Sequence, residues 1–271
     1  MTDTSGSDKD KADDKNKLWL ILIAMALVAL AAVAAWLLPR GTNWLVVLGL
    51  FILAVLLVGR ATTGRLFGSL INEQKLMSLS RFQMLIWTLL IVSAYLTIAM
   101  QRVKNGDVVD PLVIGVDWQV WALLGISTTS LVGTPLLNNN KKAKEPSKGP
   151  DDTSAMAKAA ETLKEPQGEI EKNRAGVLYG NPYIKDARLS DMFEGEEIAN
   201  ASFIDVGKLQ MFFFTVIVAS VYAVELYQLI ANNVLTDDVS LPTVNEGLLA
   251  LLGVSNAGYL GSKGITQTPT K

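Results

Sequence analysis

With no histidine and no cysteine in its 271 residues, this chain has carboxylates, amines, hydroxyls and amides for whatever chemistry it does. Thiolate nucleophiles, histidine-based triads, disulfides and thiolate zinc sites are excluded at once. No carboxylates recur at a metal-ligand spacing, so the sequence predicts neither a metal nor a cofactor. Glu225 is the acidic residue that falls inside an apolar run, and it lies toward one end, where an interfacial carboxylate meets water. Ser127, Thr128, Ser130, Ser255 and Asn256 form hydroxyl and amide faces that could line a weakly selective polar path. Carboxylates of the cytoplasmic lead-ins acting on lipid are the lesser, enzymatic alternative. The sequence predicts no enzyme.

These groups sit in an unusual setting. Half of the residues are apolar and 18% are charged, against about a quarter charged in an ordinary soluble domain. The run Leu18–Leu38 has no polar residue, and roughly 20 apolar residues at 1.5 Å each cross the ~30 Å hydrocarbon layer. A cleaved signal peptide has a shorter core; here the run continues through Trp36, Leu37 and Leu38 past the small "AVA" triplet, so an uncleaved anchor is expected. Further apolar segments are Trp44–Gly59, Phe82–Met100, Val120–Leu137, Leu209–Ile230 and Gly247–Leu260. The fold class is therefore all-α, a polytopic helical membrane protein with six transmembrane helices, the second and sixth of them short.

Basic residues orient the spans. The N-terminal tail, the segment between spans two and three, the long segment 138–208 and the C-terminal tail together hold 21 Lys and Arg, against three (Arg40, Arg102 and Lys104) in the other connections. Lys and Arg accumulate in cytoplasmic loops, which puts both termini inside. The net charge of −2 speaks against a nucleic-acid partner. Residues 1–17 alternate Asp and Lys without apolar periodicity and read as a disordered cytoplasmic tail. Residues 18–59 form an N-terminal hairpin, and 138–178 a polar, proline-containing linker. Order returns near Tyr179, where Asp191 and Glu194 have capping-box spacing ahead of a short helix.

The chain also repeats itself. "SRFQMLIWTLLIVSAY" (Ser80–Tyr95) aligns without gaps to "GKLQMFFFTVIVASVY" (Gly207–Tyr222), with Gln83/Gln210, Met84/Met211, Thr88/Thr215, Ser93/Ser220 and Tyr95/Tyr222 identical and Arg81/Lys208 conserving charge. The same offset pairs Gly68 with Gly195 and Ile71 with Ile198; one extra residue in the outer loop then matches "ALLGIS" (Ala122–Ser127) to "ALLGVS" (Ala250–Ser255). Residues 60–137 are thus repeat 1 and 179–264 repeat 2, each a lead-in and a two-span hairpin, with 265–271 a tail. Two spans per unit make the repeats parallel, related by an axis along the membrane normal. Gly125, Thr129 and Gly133, and their matches Gly253, Ala257 and Gly261, recur every four residues and form small-residue faces suited to close helix packing. On the outgoing spans Met84, Thr88 and Tyr95 share a face, as do Met211, Thr215 and Tyr222, and a buried Tyr hydroxyl would seek a Ser or Thr partner.

"WALLGISTTSLVGTP" is similar to a potassium-channel pore helix and filter, but a filter loop must return to its own side and precede an inner helix. Here the chain goes on into "LLNNNKKAKEP" and leaves the bilayer. Ser78, Ser80, Arg81 and Gln83 with Trp87 and Thr88, then Asp191 through Glu197 and the two LLG[IV]S blocks, resemble a family of bacterial polytopic membrane proteins over residues 60–264. The second copy departs from it with Phe214 in place of the tryptophan. The resemblance implies a bacterial inner membrane and no particular activity. The sequence therefore predicts a non-enzymatic membrane scaffold or anchor in the lipid bilayer. It would assemble as a homo-oligomer or with a membrane-protein partner and present a cytoplasmic platform. The alternative is an oligomeric pore lined by Ser127, Thr128, Ser130, Ser255 and Asn256.

Overall fold

The computed structural model describes residues 4–106, 110–147, 154–232 and 238–270. Lys148, Lys271 and the 148–153 part of the expected linker lie outside them. The described residues contain eight α-helices and no strands, only isolated bridges. Among the described residues five helices are long and apolar enough to cross a bilayer: α1 (Thr4–Leu37, with its candidate span at Asp14–Leu37), α2 (Thr42–Thr63), α3 (Leu79–Asn105), α4 (Trp118–Lys142) and α7 (Val206–Asn232). Between α4 and α7 stand two short helices, α5 (Ala155–Leu163) and α6 (Gln167–Asn173). The sixth apolar segment is α8 (Glu246–Gly264), a helix of 19 residues diluted by Glu246, Asn256, Lys263 and several glycines. It falls short of the apolarity of the other five.

Helix lengths depart from the sequence expectation where polar residues extend an apolar core. The second span is not short: α2 has 22 residues because Arg60 to Thr63 continue the helix until Gly64, whose φ of 76° ends it in the left-handed conformation. Thr62 and Thr63 stay helical by donating their hydroxyls back to Val58 O and Gly59 O. Helix α1 starts at Thr4, inside the stretch expected to be a disordered tail, since alternating Asp and Lys carry no helix breaker and allow pairs such as Lys17–Asp14. The linker is likewise partly helical: α4 runs on to Lys142, and α5 opens on Ser154, whose side chain accepts from Ala157 N. Asp191 does cap a short turn, but from the other end. Its carboxylate accepts from Arg188 N (2.8 Å) and Met77 N (3.1 Å), closing a 3₁₀ turn at Leu189–Met192, and Glu194 is not its partner.

The chain divides into two compact units. The first comprises residues 1–69, 86–120 and 220–243. There α1 and α2 form a hairpin over Pro39–Gly41, and Ala31, Ala34, Ala35, Val47 and Phe51 pack with Leu89, Leu96 and Met100 of α3. Small residues on α1 let the helices approach without a hydrophobic driving force. The open carbonyls at the end of α1 are capped from two directions: Asn43 and Gln101 donate to Ala35 O, and Lys104 to Trp36 O. Trp44 Nε1 donates to Ser93 Oγ at 3.0 Å, and Trp87 meets Tyr222 edge-on. The loops after α3 and α7 join through Gly115 N to Val239 O and Leu241 N to Gly115 O.

The second unit comprises residues 70–85, 121–219 and 244–271. Its core gathers Leu70, Ile71, Met77, Leu79, Ala187, Met192, Met211 and Tyr259, with Phe82, Phe193 and Phe212 in a ring cluster. Ser80 of α3 bonds Ser130 (3.1 Å) and Thr134 (3.4 Å) of α4, and Gln83 Nε2 donates to Thr215 Oγ1 of α7 at 3.2 Å. Helices α4 and α8 run parallel: a Cβ on Gly253 would meet Ile126, one on Gly133 would meet Leu260, and one on Gly264 would meet Leu137. These three contacts share one sequence offset, as two helices packed in parallel do.

Candidate functional site

The second unit carries two polar clefts at the ends of its helices, both built on residues that adjoin apolar spans. In the first, Glu196 stands between two lysines from different helices. Lys208 Nζ, in the first turn of α7, lies 2.9 Å from Oε1, and Lys263 Nζ, in the last turn of α8, lies 2.6 Å from Oε2. Both lysine side chains are buried, and the Glu196 side chain is 15% exposed. Lys208 also donates to Glu194 O, and Lys263 to the Tyr259 hydroxyl. Beside them Glu197, 2% exposed, takes Lys141 Nζ at 2.6 Å together with the backbone N–H groups of Gln267 and Thr268 at 2.9 and 2.7 Å. Burial pushes both carboxyl groups up. For Glu196 the nearby Lys208 and Lys263 ammoniums outweigh it, and for Glu197 the bonds from Lys141, Thr268 and Gln267 do. Both therefore remain ionised below the usual carboxylate range.

Both glutamates are held by buried lysines. Chemically the arrangement is a clamp. It ties the start of α7, the ends of α4 and α8, the lead-in 194–200 and the C-terminal residues to one another. The C-terminal strand of contacts continues with Ser147 N to Pro269 O and Lys144 Nζ to Thr266. Sequence reading passes over Glu196, Glu197, Lys141 and Lys263, because their partners lie 56 and 67 residues apart. The one available signal is Lys263, a lone cation in the last turn of α8.

The second cleft is lined by Asn72, Glu73, Gln74, Ser78, Ser80, Arg81, Leu131, Thr134, Pro135, Asn138 and Lys142. Lys142 pairs with Glu73 at 3.1 Å, but the Arg81 guanidinium has no partner among the described residues. Asn138, 6% exposed, borders both clefts; its Nδ2 reaches toward Gln74 and Glu196, while its Oδ1 is buried without a partner. Pro135 brings no N–H to its helix, so the Leu131 carbonyl loses its usual donor.

Six residues of each cleft align with one another when the two similar stretches of sequence are superposed. Extending the alignment pairs Glu73 with Asn200, Ser78 with Asp205, Arg81 with Lys208, Leu131 with Tyr259, Thr134 with Ser262 and Pro135 with Lys263. Every member of these pairs lines its own cleft. At the same offset Glu196 aligns with Ser69, which does not line the Arg81 cleft; the carboxylate lining that cleft is Glu73.

Other candidate residues from the sequence fall in different places. Ser127, Ser130, Ser255 and Asn256 are buried within the chain, and Thr128 is exposed with its hydroxyl toward Met84 Sδ. Ser127 donates to Leu123 O and Asn256 to Leu252 O, both on their own helices. Gly125, Thr129, Ala257 and Gly261 are exposed, Gly133 and Gly253 half-buried, and a Cβ on Gly125 or Gly261 would meet nothing within 4 Å. Matched residues also differ in setting. Gln83 is buried and Gln210 exposed; Tyr222 is buried with no partner for its hydroxyl, whereas Tyr95 is exposed and donates to Leu112 O rather than to a Ser or Thr. Glu225 is exposed.

These five apolar helices make the chain a multi-pass membrane protein. Compared with known proteins, it matches no protein family, no curated protein and no solved structure.

Proposed function

We propose that the protein is a non-enzymatic scaffold or anchor of a bacterial inner membrane, with six crossings, both termini in the cytoplasm and a folded cytoplasmic platform for partners. One observation carries this reading: the basic, non-membrane segments are clamped to the helix ends by the buried Lys208–Glu196–Lys263 and Lys141–Glu197 ion pairs. A platform tied this way moves with its helices, which suits display and not exchange of substrate. The sixth crossing is supported by the far end of α8. Residues just beyond it bond Lys144 and Ser147, which follow the end of α4, and a 19-residue helix rises about 28 Å.

The parallel-repeat architecture is supported by the matched lining of the two clefts and by the parallel course of α4 and α8. Self-association draws support from the exposure of Gly125 and Thr129, with nothing among the described residues within 4 Å of a Cβ on Gly125. Against a pore lined by Ser127, Ser130, Ser255 and Asn256 stands their burial inside a single chain. Reconstitution of the purified chain into a planar bilayer tests the choice. A scaffold leaves the membrane silent to current at protein densities where detergent-solubilised mass shows the intact assembly; stepwise conductance sensitive to Ser130→Ala would establish the pore instead.

A further inference from the structure

We infer that the Arg81 cleft binds a phosphate-bearing lipid headgroup, in the place that the chain's own Glu196 carboxylate takes in the matching cleft. In the second copy the cation at the helix start, Lys208, is neutralised by Glu196 at 2.9 Å. In the other cleft the aligned cation, Arg81, keeps its position in the lining without an ion-pair partner among the described residues, and the carboxylate that lines it, Glu73, is taken by Lys142 at 3.1 Å. A cation at the first turn of a helix, with its N–H groups and the Ser78 and Ser80 hydroxyls beside it, is completed by an anion. A guanidinium suits phosphate because it can donate two parallel bonds.

Two further features specify the anion. Asn138 Oδ1 is buried without a partner, and the Leu131 carbonyl has lost its helical donor to Pro135; both residues line this cleft, and Asn138 borders the other one too. Such acceptors call for a ligand that also carries a donor, as the glycerol hydroxyls of phosphatidylglycerol do and the quaternary ammonium of phosphatidylcholine does not. A lipid is favoured over free phosphate by what adjoins the cleft: Val132 and Leu136, 54% and 63% exposed, flank Pro135 on α4 and offer an apolar track for acyl chains. This inference rests on the duplicated-hairpin part of the reading above and not on the scaffold role, so current recording and lipid binding fail independently.

Native mass spectrometry of the full chain in detergent, titrated with dioleoylphosphatidylglycerol, tests it. Arg81→Gln should weaken retention of the lipid by about tenfold, the scale of one lost charge-assisted bond, while Arg81→Lys retains most of it and Arg60→Gln, an exposed cation outside the cleft, changes nothing. Dioleoylphosphatidylcholine should bind the parent chain more weakly than dioleoylphosphatidylglycerol, and excess inorganic phosphate should not displace the latter. Equal retention by Arg81→Gln and Arg60→Gln would overturn the site. Displacement by inorganic phosphate alone would overturn the lipid as its occupant.

Discussion

Replacing Glu196 by Gln keeps the side chain's shape and removes its charge, leaving Lys208 and Lys263 buried and facing a neutral amide. Their ammoniums stand 2.9 and 2.6 Å from the carboxylate oxygens, and both lysine side chains are almost wholly buried. Breaking a buried ion pair by removing one partner costs about 3–5 kcal/mol, because the charge left behind has lost its water and its counter-ion. The Lys142–Glu73 pair makes the control. Its side chains are 35% and 74% exposed, so Glu73→Gln should cost no more than about 1 kcal/mol. Thermal inactivation in detergent, followed as a half-life since such unfolding is irreversible, should therefore accelerate far more for Glu196→Gln than for Glu73→Gln. The same reasoning fixes a pH dependence. Folding holds the Glu196 carboxyl below its ordinary value of about 4.3. Its stabilisation is thus complete above that value and is lost as pH falls from there toward the folded pKa. The parent chain should lose stability below about pH 4, and Glu196→Gln should lose less over the same range. Equal half-lives for Glu196→Gln and Glu73→Gln at neutral pH would refute the clamp.

Three other outcomes follow from particular contacts. A Cβ on Gly68 would overlap Thr63 Oγ1 and the Gly59 carbonyl, so Gly68→Ala should destabilise by about 1–3 kcal/mol, read as a shortened thermal half-life. Gly125→Leu, placed where nothing lies within 4 Å, should leave the stability of the single chain unchanged and reduce the mass of the assembly in detergent; an unaltered assembly would remove this face from self-association. Asp191→Ala strips the acceptor from Arg188 N and Met77 N and should cost about 1–3 kcal/mol, with hydrogen exchange at those two amides rising first.

Helix class and most span positions were legible because apolar runs of sufficient length admit one solution in a bilayer. Boundaries were not, since Arg60, Thr62 and Thr63 read as polar yet continue α2, and Lys141 and Lys142 continue α4. The likeness of the two stretches was visible as letters, but not how differently their aligned residues are set. Tyr95 and Tyr222 are identical residues, yet Trp87 packs against Tyr222 while its own counterpart is Phe214, and Trp44 from the unrepeated hairpin engages Ser93 on the first copy. The clamp was hidden for a different reason. Pairs such as Lys263–Glu196 join residues far apart in the chain, and no local period announces them.

The account's central claim is a chain that crosses six times and clamps its basic segments on the cytoplasmic side. Single cysteines at Ser147, Asp238 and Thr270, labelled in intact cells with a membrane-impermeant thiol reagent, test it most directly in a parent free of cysteine. The account predicts labelling at Asp238 and protection at Ser147 and Thr270 until the membrane is opened. Labelling at Ser147 would reverse the orientation, and labelling at both Asp238 and Thr270 would show that α8 does not cross.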